Sequence, residues 1–255
     1  MVWIVMENKS YDEVIGSSRA PYINRLAAEC GLATNFQAEA HPSLPNYVAM
    51  TSGSTQGITD DADPGAHRLG APSIFSLLGA RWRSLEDSMP ANCAGADAEL
   101  YAVRHNPATY YTGVADSCRA RDVPLGAAPD LSAAFTYITP NLCHDMHPCP
   151  STPDSSAQTA AGDSWLAGFV PQLLASREYR SGTIAVFLTW DEGEGDSQRI
   201  ATLVLSPSTP AGARSSRPLN HYSMLRTTQD LLALRPYLGQ AASATSMALD
   251  FRLAP

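Results

Sequence analysis

Two apolar runs in this sequence each stop at a pair of oxygen-bearing side chains: Val2–Met6 at Glu7-Asn8, and residues 183–190 at Asp191-Glu192. Acidic pairs brought to one sheet edge repel each other unless a cation sits between them. Carboxylates and an amide are ligands for a hard divalent ion such as Ca2+, Mg2+ or Mn2+. A third stretch, His41-Pro42-Ser43-Leu44-Pro45-Asn46-Tyr47-Val48-Ala49-Met50, puts a hydroxyl just ahead of an apolar run. Proline fits the first turn of a helix, where its missing N–H costs nothing. Ser43 therefore belongs at or just before a helix N-terminus, where free N–H groups and the helix dipole favour an anion. A serine there is a helix cap, a nucleophile activated by a cation, or both. His41, His105, His144, His147 and His221 all stand beside Pro, Asn or Asp in loop-like stretches. Such histidines bind phosphoryl groups, protonate leaving oxygens or ligate metal, and spacing does not choose among these roles. His67, in a Gly- and Asp-rich loop, is a bystander.

The elements that must position these groups alternate. Strands are expected at 2–6, 32–38, 83–89, 134–139, 183–190 and 200–205. Helices are expected at 21–30 (stopped by Gly31), 73–82, 163–175 (capped by Asp163 or Ser164, with Pro171 kinking or ending it) and 223–234. Residues 54–70 read as surface loop. Residues 90–130 read as a loop-rich insertion over one end of the sheet. This order predicts an α/β fold, a mainly parallel central sheet with helices on both faces, in one domain spanning 1–255. In such sheets functional groups gather past the carboxyl ends of strands. Glu7-Asn8, the 141–147 segment and Asp191-Glu192 all fall there.

Composition narrows the function. The net charge of −8 and pI near 5.1 argue against the basic face that nucleic acid requires. No run approaches the length of a membrane span, so no stable membrane insertion is expected. Lys9 is the only lysine among 255 residues, which with the abundant Ala reads as coding bias. Among five cysteines, Cys93 with Cys118 and Cys143 with Cys149 are the preferred disulfides of an exported protein, leaving Cys30 as a buried thiol. The first six residues lack a basic start and a cleavage site. They read as a strand entered in its middle, so the natural N-terminus is expected upstream and the protein is expected to be secreted. Nothing in the sequence sets an oligomeric state.

Six blocks resemble, in order, those of the secreted phosphoesterase family within the alkaline-phosphatase-like superfamily, which groups bacterial acid phosphatases with phospholipases C. They are Glu7-Asn8-Lys9-Ser10-Tyr11-Asp12, the Ser43 stretch, His105-Asn106-Pro107, His144-Asp145-Met146-His147, Thr189-Trp190-Asp191-Glu192-Gly193 and Asn220-His221-Tyr222-Ser223. The resemblance implies an alkaline-phosphatase-like fold and one divalent metal (Ca, Mg, Mn or Zn) held by Glu7, Asn8, Asp191 and Glu192. Similarity of the Ser43 block to the Thr-Phe-Pro-Asn-His block of nucleotide pyrophosphatases implies that Ser43 is the nucleophile. His105, His144 and His221 are then the candidates for phosphoryl binding or leaving-group protonation. Asn46, Asp145, His147 and His41 are expected to bind substrate. Two-metal relatives have histidine after the aspartate where Glu192 stands, and Pro-Asp where Pro140-Asn141 stands. Both departures favour one hard metal over two zincs. The expected activity is acid-phosphatase-like hydrolysis of a small phosphate ester through a phosphoseryl intermediate. The alternatives are a phospholipase C type phosphodiesterase and, less favoured, a non-catalytic secreted binding protein. Sulfatase chemistry needs an arginine that Ser43-Leu44-Pro45-Asn46-Tyr47 lacks.

Overall fold

The computed structural model describes residues 1–254. In chain order the elements are β1 (Val2–Met6), α1 (Tyr11–Val14), α2 (Pro21–Glu29), β2 (Gly31–Gln37), α3 (Ser43–Ser52), α4 (Ile74–Leu78) and β3 (Trp82–Glu86). Three short 3-10 turns between residues 103 and 114 lead to α5 (Ala115–Arg121), β4 (Asp122–Pro124) and β5 (Phe135–Thr139). The chain continues as α6 (Ser155–Ala175), α7 (Arg177–Arg180), β6 (Val186–Trp190), β7 (Arg199–Leu205), β8 (Arg214–Ser215), β9 (Leu219–Asn220) and α8 (His221–Leu231). The sheet runs β4-β3-β5-β1-β6-β7-β2-β8, with β9 also on β2 and helices on both faces. Among the described strands β7 alone runs against its neighbours. The expected mainly parallel α/β sheet is therefore present. Central strands β1, β5 and β6 are buried along their whole length, as continuous apolar runs in a covered parallel sheet must be. The carboxyl ends of β1, β2, β3, β5 and β6 open on one edge.

Several boundaries differ from expectation. The 73–82 helix stops at Leu78, because Gly79 turns the chain with a φ of +59° and Trp82 already belongs to β3. The 163–175 helix starts at Ser155, capped by Asp154, whose side chain accepts from the Ala157 N–H at 2.8 Å. Asp163 is a cap, but for another helix. Its carboxylate accepts from the N–H groups of Tyr22 and Ile23 at 3.1 and 2.8 Å, at the start of α2. Pro171 lies inside α6 without ending it. The late helix begins two residues early, with Asn220 accepting from the Ser223 N–H at 3.0 Å. The strand expected from residue 183 begins at Val186. Segment 90–130 holds α5 and the edge strand β4 as well as loops. Both disulfides, Cys93–Cys118 and Cys143–Cys149, form, and Cys30 is free.

The start of α3 is built unusually. Pro42 occupies the N-cap position, where it can offer no side-chain bond. The Leu44 N–H donates instead to Asp61 Oδ1 at 2.9 Å, and Pro45 has no N–H to satisfy. Ser43 is thus the first residue inside the helix and does not cap it.

At the far edge of the sheet, Glu86 closes β3 and Asp122 opens β4, both buried. Glu86 accepts from Ser84 Oγ at 2.6 Å, and Asp122 accepts from Asn106 Nδ2 at 2.9 Å. Burial lifts both carboxyls, Glu86 well above its ordinary range with repulsion from Asp122 added, and Asp122 to about 7. Unfolded, both titrate near pH 4. The folded state therefore binds more protons, and the pair's stabilising effect is complete below about pH 4 and is lost as pH rises through about 7. Urea melts between about pH 5 and 8 should show stability falling with pH. Glu86→Gln should flatten that slope, since a neutral partner removes the repulsion. An unchanged slope would show that the pair shares no proton.

Candidate active site

Met6 pairs with Trp190 where β1 lies along β6, so Glu7-Asn8 and Asp191-Glu192 leave the sheet side by side. The Asn8 N–H donates to Asp191 Oδ1 at 3.1 Å. The loop after β2 brings Ser43 over them. With its helix capped by Asp61, the Ser43 hydroxyl points into this group, donating to Glu7 Oε2 at 3.0 Å and lying 3.3 Å from the Asn8 side-chain amide. Tyr47 is one turn further along α3, on the face of Ser43. It donates its hydroxyl to Glu7 Oε1 and stacks on His105 with 5.3 Å between ring centroids.

Glu7, Asp145 and Asp191 are fully buried and Glu192 nearly so. Burial raises Glu7 well above the carboxylate range, with repulsion from Asp191 and Asp145 added. Burial also raises Asp145 well above it, Asp191 to about 6 and Glu192 to about 9. The Ser43 hydroxyl offsets part of the rise at Asp191 and Glu192. Burial holds the His105 imidazole well below its ordinary value, so a neutral ring stands 3.3 Å from Glu7 Oε2 and 3.4 Å from Asp145 Oδ2. His41 Nε2, His105 Nε2, Asp145 Oδ2 and Asp191 Oδ2 are buried without a hydrogen-bond partner.

Crowded acids, orphaned ligand atoms and an oxygen donor set from Glu7, Asn8, Ser43, Asp191 and Glu192 suit a hard divalent cation. The Asn8 amide serves either state. Its NH2 turned inward would donate to Glu7 Oε2 at 3.0 Å and Asp191 Oδ1 at 3.3 Å, whereas its carbonyl turned inward is a cation ligand. Among the described residues, Cys93, Cys118 and Asp122 are the His, Cys, Asp or Glu side chains whose donor atoms lie within 4.8 Å of one another, but the sulfurs form a disulfide and offer no thiolate.

The remaining expected residues divide. His41 lies on the rim with Nδ1 2.7 Å from Glu192 Oε2. Asp145 lies 3.4 Å from His105 Nδ1 and accepts from the His147 N–H at 2.7 Å, so it orients both histidines. His147 faces Arg104 Nη2 at 3.3 Å. His144 is set apart, 40% exposed, on Asp87 at 2.6 Å and stacked over Trp165. His221 and Asn46 are each held by several hydrogen bonds. His221 has both ring nitrogens engaged, Nδ1 with Glu39 at 2.5 Å and Nε2 with the Trp190 carbonyl at 2.9 Å. It secures the end of β6 and has no free nitrogen for a phosphoryl group. Asn46 accepts from the Glu39 and Ala40 N–H groups, both at 3.0 Å, and donates to the Ala40 carbonyl at 2.8 Å. Its amide shapes the turn before Ser43 and also reaches Glu192 Oε2 at 3.4 Å. Sequence reasoning passed over Tyr47, Asp61 and Arg104. The i, i+4 spacing from Ser43 marked Tyr47, and a basic residue abutting His105 marked Arg104. Nothing local marked Asp61.

The phosphoesterase family profile matches residues 17–235. The chain is 28% identical over 253 residues to a phosphatidylinositol-3-phosphatase of Mycobacterium tuberculosis, covering 96% of this chain and 80% of that protein. It is 29% identical over 228 residues to a phosphate-repressible acid phosphatase of Penicillium chrysogenum, covering 80% of this chain and 52% of the fungal protein. A solved structure of an alkaline phosphatase superfamily protein from Vibrio parahaemolyticus superposes with a TM-score of 0.66 at 12% identity, over 98% of this chain and 71% of that one. That likeness concerns the fold. The chain belongs to the phosphoesterase family and is a hydrolase of phosphoric esters.

Proposed function

We propose that the chain hydrolyses phosphomonoesters through a phosphoseryl intermediate at Ser43, with one divalent cation held by Glu7, Asn8, Asp191 and Glu192. The observation that carries this reading is the direction of the Ser43 hydroxyl, into buried acids and away from its own helix end. A bound divalent ion supplies positive charge at the phosphoryl oxygens and favours the ionised serine. Ser43 Oγ attacks phosphorus, and the Oγ–P bond forms as the bond to the ester oxygen breaks. Glu7 Oε2, which accepts the Ser43 hydrogen bond, takes the proton. Arg104, beside His105 and His147, offers the guanidinium for phosphoryl oxygens. His41 gives a proton to the leaving oxygen, because its Nδ1 is anchored on Glu192 and its Nε2 has no partner. The neutral His41 then takes a proton from the water that attacks phosphorus. Phosphate departs, and Ser43 recovers its proton from Glu7.

Relatives named as phosphatases support a monoester over a diester substrate. Two disulfides support an extracytoplasmic location, and no described helix is long and apolar enough to cross a membrane. One sheet with a continuous core supports a single domain.

Ser43→Ala should lower turnover of p-nitrophenyl phosphate by on the order of 10^4-fold or more in a protein that still folds. Retained turnover would remove Ser43 from the nucleophile role. Dialysis against a chelator should abolish activity, and a divalent salt should restore it. Full activity with no metal by elemental analysis would rule out the cation. His41→Gln should slow an alkyl phosphate about tenfold or more beyond its effect on p-nitrophenyl phosphate, whose leaving group needs no proton. Equal losses on both substrates would assign the leaving-group proton elsewhere.

A further inference from the structure

Lys9, the only lysine of the chain, is 2% exposed. An ammonium taken out of water must be repaid with hydrogen bonds. Lys9 Nζ donates to the Asn8 carbonyl at 3.0 Å, Gln158 Oε1 at 3.1 Å and Glu194 Oε2 at 3.3 Å. These acceptors come from three places: the exit of β1, the first turn of α6 and the loop after β6. Asn8 holds a φ of +41°, a left-handed conformation that is uncommon outside glycine. That turn sends its side chain to Ser43 and its N–H to Asp191. Lys9 grips the carbonyl of this residue. The same ammonium grips Glu194, two residues beyond Glu192. The Glu194 N–H donates to Ser10 Oγ at 3.0 Å, and Ser155 Oγ donates to Glu194 Oε2 at 3.1 Å. Between them, a Cβ at Gly193 would lie 2.2 Å from the Ser197 carbonyl and 3.0 Å from Ser10 Oγ, so this loop is seated backbone against backbone.

We infer that Lys9 is a positioning residue that fixes the Glu7-Asn8 pair against the Asp191-Glu192 pair and thereby sets the affinity of the site for its cation. It reaches the site only through the backbone of Asn8 and the loop carrying Glu194. The inference rests on the reading that those pairs hold a divalent ion. Its form is that of an outer-shell partner, whose loss costs a metal site about 10–100-fold in affinity.

Calorimetric titration of Mn2+ into metal-stripped protein tests it. Lys9→Met should weaken Mn2+ binding about 10–100-fold and lower kcat at limiting Mn2+, while KM for p-nitrophenyl phosphate at saturating Mn2+ stays near that of the wild type. Lys9→Arg should recover part of the Mn2+ affinity, since it keeps the charge but not the compact head group. A second measurement uses the unaltered chain. Acylation by an amine-directed reagent, followed on the peptide carrying Lys9, should slow when Mn2+ is bound, because the cation closes the struts that Lys9 joins. A folded Lys9→Met protein with wild-type Mn2+ affinity would overturn the inference and leave the cation reading standing. So would a Lys9 acylation rate indifferent to Mn2+ that binds. A wild type that binds no Mn2+ would overturn both.

Discussion

Four buried carboxyl groups gather at the strand ends beside Ser43, and burial together with repulsion among them constrains everything around them. Glu7, Asp145, Asp191 and Glu192 are all pushed toward their neutral forms by burial. Such a group is tolerable in two ways, by taking up protons or by taking up a cation. Protons and a metal ion therefore compete for the same oxygens. The surroundings are donors almost without exception. The Asn8 and His147 N–H groups and the hydroxyls of Tyr47 and Ser43 all point at these acids. A site built this way couples its chemistry to acidity before any substrate arrives.

The sheet is what makes the crowding possible. Adjacent parallel strands lie about 4.8 Å apart, and the in-register pairing of Met6 with Trp190 leaves the first residues beyond them no room to diverge. Glu7 and Asp191 meet because β1 and β6 are neighbours pointing the same way. β5, on the other side of β1, delivers Asp145, whose carbonyl accepts from the Glu7 N–H at 2.7 Å. Glu7 and Asp191 follow their strands directly, and Asp145 is tied back to Glu7 across the loop after β5. Their positions inherit the rigidity of the core. His221 adds to this from outside the sheet, joining the Trp190 carbonyl to Glu39 in the loop ahead of Ser43.

What could be read in the sequence was whatever is local or carried by a block of neighbouring residues. Apolar runs marked the central strands, and the acids directly after them are brought together at one edge of the sheet. The spacing of cysteines matched the disulfides. What could not be read was the long-range destination of a polar side chain. Asp163 looks like a cap and is one, but its helix starts 142 residues earlier, at Pro21. Asn46 and His221 sit in blocks that resemble catalytic ones, yet most of their hydrogen bonds go to backbone and to Glu39, with one from Asn46 to Glu192. Lys9 looked like an accident of composition because nothing near it in sequence predicts a buried ammonium. Its acceptors Gln158 and Glu194 lie 149 and 185 residues away.

Asp61 shows why such destinations matter to chemistry. A serine that caps its own helix commits an oxygen lone pair to a backbone N–H, and the helix end holds the hydroxyl in a fixed rotamer. At α3 the task passes to a residue 17 positions further along the chain, through the Leu44 N–H, while Pro45 removes the next N–H that would have needed an acceptor. The helix keeps its carboxylate cap and its dipole still faces the site. Ser43 keeps its place at the first turn with its hydroxyl free to point at Glu7. Capping, which in an ordinary serine cap would occupy the hydroxyl, here falls to Asp61 and leaves Ser43 free for the nucleophilic role proposed for it. That division leaves the Ser43 oxygen free to face the buried acids at this edge of the sheet.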